Sequence, residues 1–412
     1  MKFKLVLFFG LLITTMVHAQ ENLIEQLLKS NPTYFKHLTD NPSKYRLQIL
    51  YTQIDRDSKN QAKFTTHAYR VDANEYFYPA STVKLAGSVL ALEKINKLKI
   101  DKSTTFQTLK NRPTQLEILQ DSTAANGLPS IEHYIKKILL VSDNEAYNRL
   151  YEFLGQKDFN KTMAHKGFEG VRFTHRLQTS IPLLENQYTN PVQFINEQGE
   201  VIWQQKEQFN KKQIFSSTPI ILGKGVMNDS GRIIPHPVNF SFKNAYPLQA
   251  QHDFLKRLMF PGSFSKSEQF KLNAEDYIFL YRHMSQYPTE STYPSYQSDS
   301  TIGPAYCKFL YYGGDKNAKI NPDVRIFNKV GDAYGFLLDN AYFVDFKHGV
   351  EFMLTATIYC NEDEIFNDDK YDYDTVGFPF YKHLGEVIYN YELARKKANQ
   401  PNLDYLKFSY AD

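Results

Sequence analysis

Cysteine is nearly absent from this chain, with only Cys307 and Cys360 among 412 residues. A disulfide framework is thereby excluded as the main source of stability, and no Cys-x-x-Cys pair exists to hold zinc or run redox chemistry. The sequence leaves open whether the two cysteines bond or lie buried apart. Also missing are a His-Glu-x-x-His metal motif and a phosphate loop, since Gly223-Lys224-Gly225 is too short to cradle phosphates. No metal or cofactor is implied. Eleven histidines leave a Ser-His-Asp triad open by count, but there is no Gly-x-Ser-x-Gly elbow to support one. An excess of one charge sign is lacking too: the formal charge is +3, which points to neither nucleic acid nor an anionic membrane as partner.

Only the first residues form a long apolar run. Lys2 and Lys4 begin it, Leu5 to Met16 are apolar, and Val17-His18-Ala19 reads as a small-residue cleavage site. Residues 1–19 are therefore expected to be an export signal, too short to span a bilayer. No cysteine follows the run, so a lipid anchor there is not expected. Without those two lysines the formal charge falls from +3 to +1. The expected location is periplasmic or secreted, with no membrane span and an oligomeric state left open. Residues 20–412 read as one catalytic domain with extra length at about 187–300.

Periodicity gives the order of elements. Leu23 to Leu38 reads as a helix, and Tyr45 to Ile54 with Lys63 to Val71 as an antiparallel pair of strands. Helices follow from Ser81 and over Ile131 to Leu154. Tyr188 to Pro237 is strand-like, with hairpins at Asn196 to Gly199 and Asn228 to Gly231. Phe254 to Phe260, Ala274 to Ser285 and Ala305 to Tyr312 read as helices, and residues 286–300 as an exposed loop. Val324 to Cys360 reads as a three-strand meander and Phe380 to Lys397 as a closing helix. The acidic run Asn361 to Asp374 lacks a calcium-loop pattern and reads as solvated. The fold class expected is α+β: a five-stranded antiparallel sheet flanked by helices, with a helical subdomain.

Within this order stands Tyr78-Pro79-Ala80-Ser81-Thr82-Val83-Lys84-Leu85. A serine hydroxyl is a poor nucleophile until a base takes its proton, and positions i and i+3 of a helix share a face. Lys84 is thus expected to touch Ser81. Leu85, Val89, Leu92 and Ile95 make the helix apolar enough to bury, and burial favours the neutral, basic amine. Ser263 to Lys266 has the same spacing but no apolar periodicity after it. Taken alone, either match is a helix cap followed by a solvated lysine.

Ser142-Asp143-Asn144 follows 61 residues after Ser81, behind the apolar Ile138 to Val141. Alone it reads as a helix cap; in company, Ser142 can pass protons and Asn144 can hold a carbonyl or the lysine. Lys329-Val330-Gly331 ends a strand run, where a glycine lets backbone approach a ligand closely. A bulge glycine after an edge-strand lysine is the alternative, and Lys347-His348-Gly349 fits the same pattern at a turn.

Ser-x-x-Lys, Ser-Asp-Asn and Lys-x-Gly, in that order on helix, helix and strand, resemble the class A β-lactamase and penicillin-binding-protein family. The resemblance covers roughly residues 22–186 and 301–400. It implies Ser81 as acylated nucleophile, Lys84 as general base, Ser142 as proton shuttle and Asn144 as substrate ligand. It further implies Lys329 as electrostatic partner of Ser142, and an oxyanion hole from the N–H groups of Ser81 and of Asp332, just past Gly331.

Three features depart from the family. Val330 carries no hydroxyl for a substrate carboxylate; Arg325 is a possible substitute or a surface arginine. In the loop Arg176 to Leu184, the register puts Ile181 where the deacylating glutamate belongs, with Glu185 nearby. And 187 residues separate Ser142 from Lys329, so the stretch before the third motif is long enough for a lid or docking surface. Three readings stay open: an exported hydrolase acting through acyl-Ser81 on β-lactams or peptidoglycan-derived amides and esters, a transpeptidase-like enzyme that β-lactams trap, and a scaffold with weak chemistry.

Overall fold

A computed structural model describes residues 22–410; the expected export signal lies outside the described residues. Five long strands form the central sheet. These are β1 (Gln48–Arg56), β2 (Ala62–Tyr69), β3 (Val324–Ala333), β4 (Phe336–Asp345) and β5 (Val350–Tyr359). Their order is β3-β4-β5-β1-β2, antiparallel throughout. The expected five-stranded sheet is thus present, with β3 and β2 as its two edge strands.

Strand alternation divides the core in two. Phe343 and Phe352 point to one face and their neighbours Tyr342 and Met353 to the other. The first face is covered by α1 (Leu23–Lys29), α2 (Pro32–Thr39) and α9 (Phe378–Ala394), through Ile24, Phe35, Leu38, Leu384 and Ile388. The second carries α3 (Val83–Leu98), α4 (Ile131–Val141), α5 (Asn144–Leu154), α6 (Gln156–His165), α7 (Leu248–Met259) and α8 (Ala274–Ser285). Each fully buried Phe or Leu contributes about 1.5–3 kcal/mol, so both helical layers are held mainly by burial.

Helix α3 is buried on nearly every side, from Val83 through Leu92. A helix apolar all round belongs in the middle of a layer, and this one carries Lys84 into the interior with it. The expected helix Leu23 to Leu38 is two, because Pro32 opens a new one at its first turn. Ile131 to Leu154 is also two, since Ser142 ends α4 with φ of 60°.

Ala305 to Tyr312 is not helical. Its polar groups are drawn outward: Lys308 Nζ donates to Met284 O, Ile326 O and Asn328 Oδ1, and the Leu310 N–H goes to Asp339 Oδ2. Tyr311, at φ of 77°, and the following Gly313 and Gly314, each at 64°, finish the break. Residues 286–300 are not a free loop either, because Tyr287 and Ser291 are buried.

The long stretch before β3 is distributed over the fold. The Val192–Ile195 and Val201–Gln205 hairpin pairs with Thr105–Thr108, and Trp203 packs on Phe153 and Phe194. Helices α7 and α8 belong to the core. The strand Gly225–Met227 pairs with Ile233–Ile234 and, in parallel, with Ile365–Phe366. Phe240, Tyr334 and Phe366 pack together there, against Tyr78 at the cleft. Cys307 and Cys360 are buried and not bonded. No helix among the described residues is long and apolar enough to cross a membrane.

Candidate active site

Ser81 lies in a short 3-10 turn, Ala80–Thr82, rather than inside α3. The turn is held by Thr82, whose N–H and Oγ1 both donate to Pro79 O, at 3.1 and 2.7 Å. Ala80 takes φ of 46°, an uncommon backbone for alanine that turns the chain sharply into the helix. On the far side, β3 presses against this turn. A Cβ at Gly331 would meet Ser81 N at 2.9 Å and Pro79 O and Thr82 N at 3.0 Å. Only glycine fits there without moving backbone.

Lys84 is fully buried. Its Nζ donates to Ser142 O, to Asn144 Oδ1 at 2.8 Å and to Ser142 Oγ at 3.2 Å. Among the described residues it makes no hydrogen bond to Ser81, so the expected direct contact is absent. The cause is local: Ser142 is left-handed, which turns its carbonyl toward Lys84, and three acceptors satisfy all three ammonium hydrogens. Ser81 is only 9% exposed and its hydroxyl has no hydrogen-bond partner among the described residues. It lines the cleft instead.

Lys329 completes the group from the sheet side, its Nζ donating to Ser142 Oγ at 2.7 Å and to Val330 O at 2.8 Å. Burial pulls Lys84 well below the usual lysine range, and the neighbouring Lys329 charge adds to it. Burial likewise brings Lys329 down to about 8. In Ser142-Asp143-Asn144 both readings hold at once. Asp143 caps α5, its carboxylate accepting from Ala146 N at 2.7 Å, while Ser142 and Asn144 face Lys84.

Sequence reasoning missed Gln178. Asn144 Nδ2 donates to Gln178 Oε1 at 2.6 Å, and Gln178 lines the cleft. The loop reaches in because Asn148 grips both backbone groups of Leu177, and because Arg176 is anchored on buried Glu152 at 2.7 Å. Gln178 sits at φ of 50°, which glutamine rarely adopts and its residue type does not announce. The register that put Ile181 at the acid's place is therefore displaced, and Ile181 does not line the cleft. Glu185 faces away: it accepts from Thr114 at 2.9 Å and pairs with Arg112 at 3.5 Å. Arg325 is no carboxylate ligand for the cleft, since both its terminal nitrogens are taken by Glu290 at 2.8 and 2.9 Å and Tyr410 stacks on it. Gly331 backs the serine turn, and Val330 and Asp332 line the cleft. No cluster of three metal-ligating side chains occurs among the described residues.

Residues 37–213 match the model of the Beta-lactamase enzyme family. The match spans less than half of the chain. It holds Ser81, Lys84, Ser142, Asn144 and Gln178, while Lys329 to Asp332 lie beyond it. Among solved structures, the chain is similar to a β-lactamase from Desulfarculus baarsii DSM 2075 (15% identity, covering 88% of this chain and 96% of that one, TM-score 0.46). It is also similar to one from Burkholderia vietnamiensis (13%, 90% and 99%, 0.48) and to the chromosome-encoded β-lactamase of Vibrio parahaemolyticus (14%, 89% and 98%, 0.48). A comparison with curated proteins finds no match. Within that segment, the group that accepts from the Asn144 amide in the cleft is the neutral Gln178.

Proposed function

We propose that the chain is an exported serine hydrolase that works through an acyl-Ser81 intermediate on β-lactams or cell-wall-related amides and esters. One observation carries the proposal. An unpartnered serine hydroxyl and the buried Lys84–Ser142–Lys329 cluster open on the same cleft.

The chemistry follows from who donates to whom. Both lysines donate to Ser142 Oγ, which fills its two lone pairs, so its single proton is directed elsewhere, toward the cleft. Of the three Lys84 bonds, that to Ser142 Oγ is the longest at 3.2 Å and the first to give way when Lys84 loses a proton. Ser142 Oγ then accepts the Ser81 proton as it passes its own to the now neutral Lys84, which becomes the ammonium that later returns it. Ser81 Oγ bonds to the carbonyl carbon, and the bond to the leaving nitrogen or oxygen breaks. Ser142 gives that atom its proton and is resupplied by Lys84. The carbonyl oxygen's charge is met by the N–H groups of Ser81 and Asp332. The Val330 carbonyl already turns to Lys329, and backbone groups two residues apart on a strand face the same edge, which supports that role for Asp332.

Gln178 favours a second reading of the later step. An amide orients water but takes no proton, so hydrolysis of the acyl-enzyme is slow, and the acyl group persists or passes to an amine, as in a transpeptidase. The weak-scaffold reading is favoured by the missing Ser81–Lys84 bond. Intact-protein mass after exposure to a panel of β-lactams and acyl esters separates the three. A persistent Ser81 adduct, absent in Ser81→Ala, supports the acyl-serine reading with slow release; steady hydrolysis of a chromogenic cephalosporin supports the fast hydrolase. No adduct from any donor leaves the scaffold.

A further inference from the structure

The cleft does not stop at the serine. At about 1670 Å³ it exceeds the roughly 300–1,000 Å³ of ordinary ligand pockets and continues past the edge of β3. A substrate therefore has room to extend well beyond its reactive carbonyl. Along that extension the lining turns acidic, with Asp332, Asp369 and Asp374 standing among Tyr334 and Tyr371. These groups are neighbours. Tyr371 packs on Tyr373 at 5.3 Å, and burial, with the Asp332 carboxylate nearby, lifts the Tyr373 phenol.

Among the described residues, no cation lies within ion-pair distance of these three carboxylates. The lysines and the arginine nearby are committed or face elsewhere. Lys329 is spent on Ser142 and Val330 O, and Arg325 on Glu290. Lys243 leans on Tyr334 from outside the lining, and Lys316 and Lys382 line the part of the cleft at the start of α9, where Asp374 also lies, which leaves Asp332 and Asp369 as the acids away from them. At the third motif Val330 offers an isopropyl group, and Asp332 presents a carboxyl that burial raises and the charges of Lys84 and Lys329 lower, so a substrate carboxylate placed there would meet a like group. Independently of these acids, Ser81 is nine-tenths buried, its hydroxyl has no partner among the described residues, and it lines this same cavity.

We propose that the Ser81 cleft selects acyl donors bearing an ammonium group beyond the scissile bond and rejects those bearing a carboxylate there, with Asp332 as the specificity-determining side chain. The substrate class is an amine-bearing ester or amide, such as a derivative of a diamino acid or a basic peptide. This rests on the acyl-Ser81 reading and narrows its substrates to the amides and esters, away from carboxylate-bearing β-lactams.

The test is a series of three esters with the same acyl group and the same leaving alcohol, ending in an ammonium, a hydroxyl or a carboxylate. Acylation of Ser81 is timed by intact mass. The ammonium ester is expected to react about 10-fold faster than the carboxylate ester, because like charges brought together at a site are penalised. In Asp332→Asn with Asp369→Asn the ratio is expected to fall below about 3, and in the parent it is expected to shrink with added salt, as a charge effect must. Equal rates for the two charged esters in the parent, or a faster carboxylate ester, overturn the proposal while leaving acyl-Ser81 intact. Absence of any adduct from all three overturns the acyl-serine reading, and this one with it.

Discussion

Lys84 and Lys329 donate to one oxygen, Ser142 Oγ, at 3.2 and 2.7 Å. Two buried ammonium groups on one acceptor disfavour each other's charge, so the more deeply buried Lys84 is the first to become neutral. That asymmetry divides the labour: Lys84 takes protons and Lys329 stays positive.

The rate of Ser81 acylation is accordingly expected to rise with pH as Lys84 loses its proton, and to fall again near pH 8 as Lys329 loses its own. In Lys329→Arg the falling limb moves beyond the measurable range, because a guanidinium stays protonated. The pH profile of single-turnover acylation checks both limbs; an unmoved upper limb contradicts the assignment.

The same lysine affects stability, and the sign is fixed. Its folded value, about 8, lies below the unfolded 10.5, so between those values the unfolded chain holds more protons and stability rises with pH. Below about 8 the burial penalty is present in full. Lys329→Met is therefore expected to be more stable than the parent at pH 7, by up to about 3 kcal/mol less the lost hydrogen bonds, with the advantage shrinking by pH 10. Urea unfolding of both proteins across that range measures it.

Gly331→Ala places a carbon 2.9–3.0 Å from three backbone atoms of the serine turn, none of which is the end of a flexible side chain. Overpacking of this kind costs about 1–3 kcal/mol. The expected outcome is a lower urea midpoint together with slower acylation, since the turn that must shift carries Ser81. An unaltered acylation rate would separate the strand from the site.

Gln178→Glu sets a carboxylate where the amide now accepts from Asn144 at 2.6 Å. A positioned general base contributes about 10²–10⁴-fold, so the lifetime of the acyl adduct is expected to shorten by at least tenfold with little change in its formation. Time-resolved intact mass after a brief pulse of acyl donor reads both steps.

Much of this architecture was legible because its signals are periodic. The density of Val, Ile, Phe and Tyr from Val324 to Cys360, broken by turns, announced three strands, and the pattern of Ala274 to Ser285 a helix. Lys84 and the Ser142–Asn144 pair were legible only through the resemblance that the three motifs carry together, and the structure brings them together. What stayed hidden depends on long-range contacts. Ala305 to Tyr312 has a helical pattern, but Lys308 and the Leu310 N–H find partners on α8, β3 and β4. Gln178 enters the cleft only because Asn148, 29 residues away, holds Leu177. The absence of a Ser81–Lys84 bond follows from Ser142, whose left-handed backbone turns its carbonyl to Lys84 and, with Asn144, takes up the lysine's hydrogens.

The most direct test of the account is the site of covalent labelling. Peptide mapping after reaction with an acyl donor is expected to place the added mass on the fragment containing Ser81, and to show none in Ser81→Ala. Labelling elsewhere, or equal labelling of the alanine variant, would contradict it.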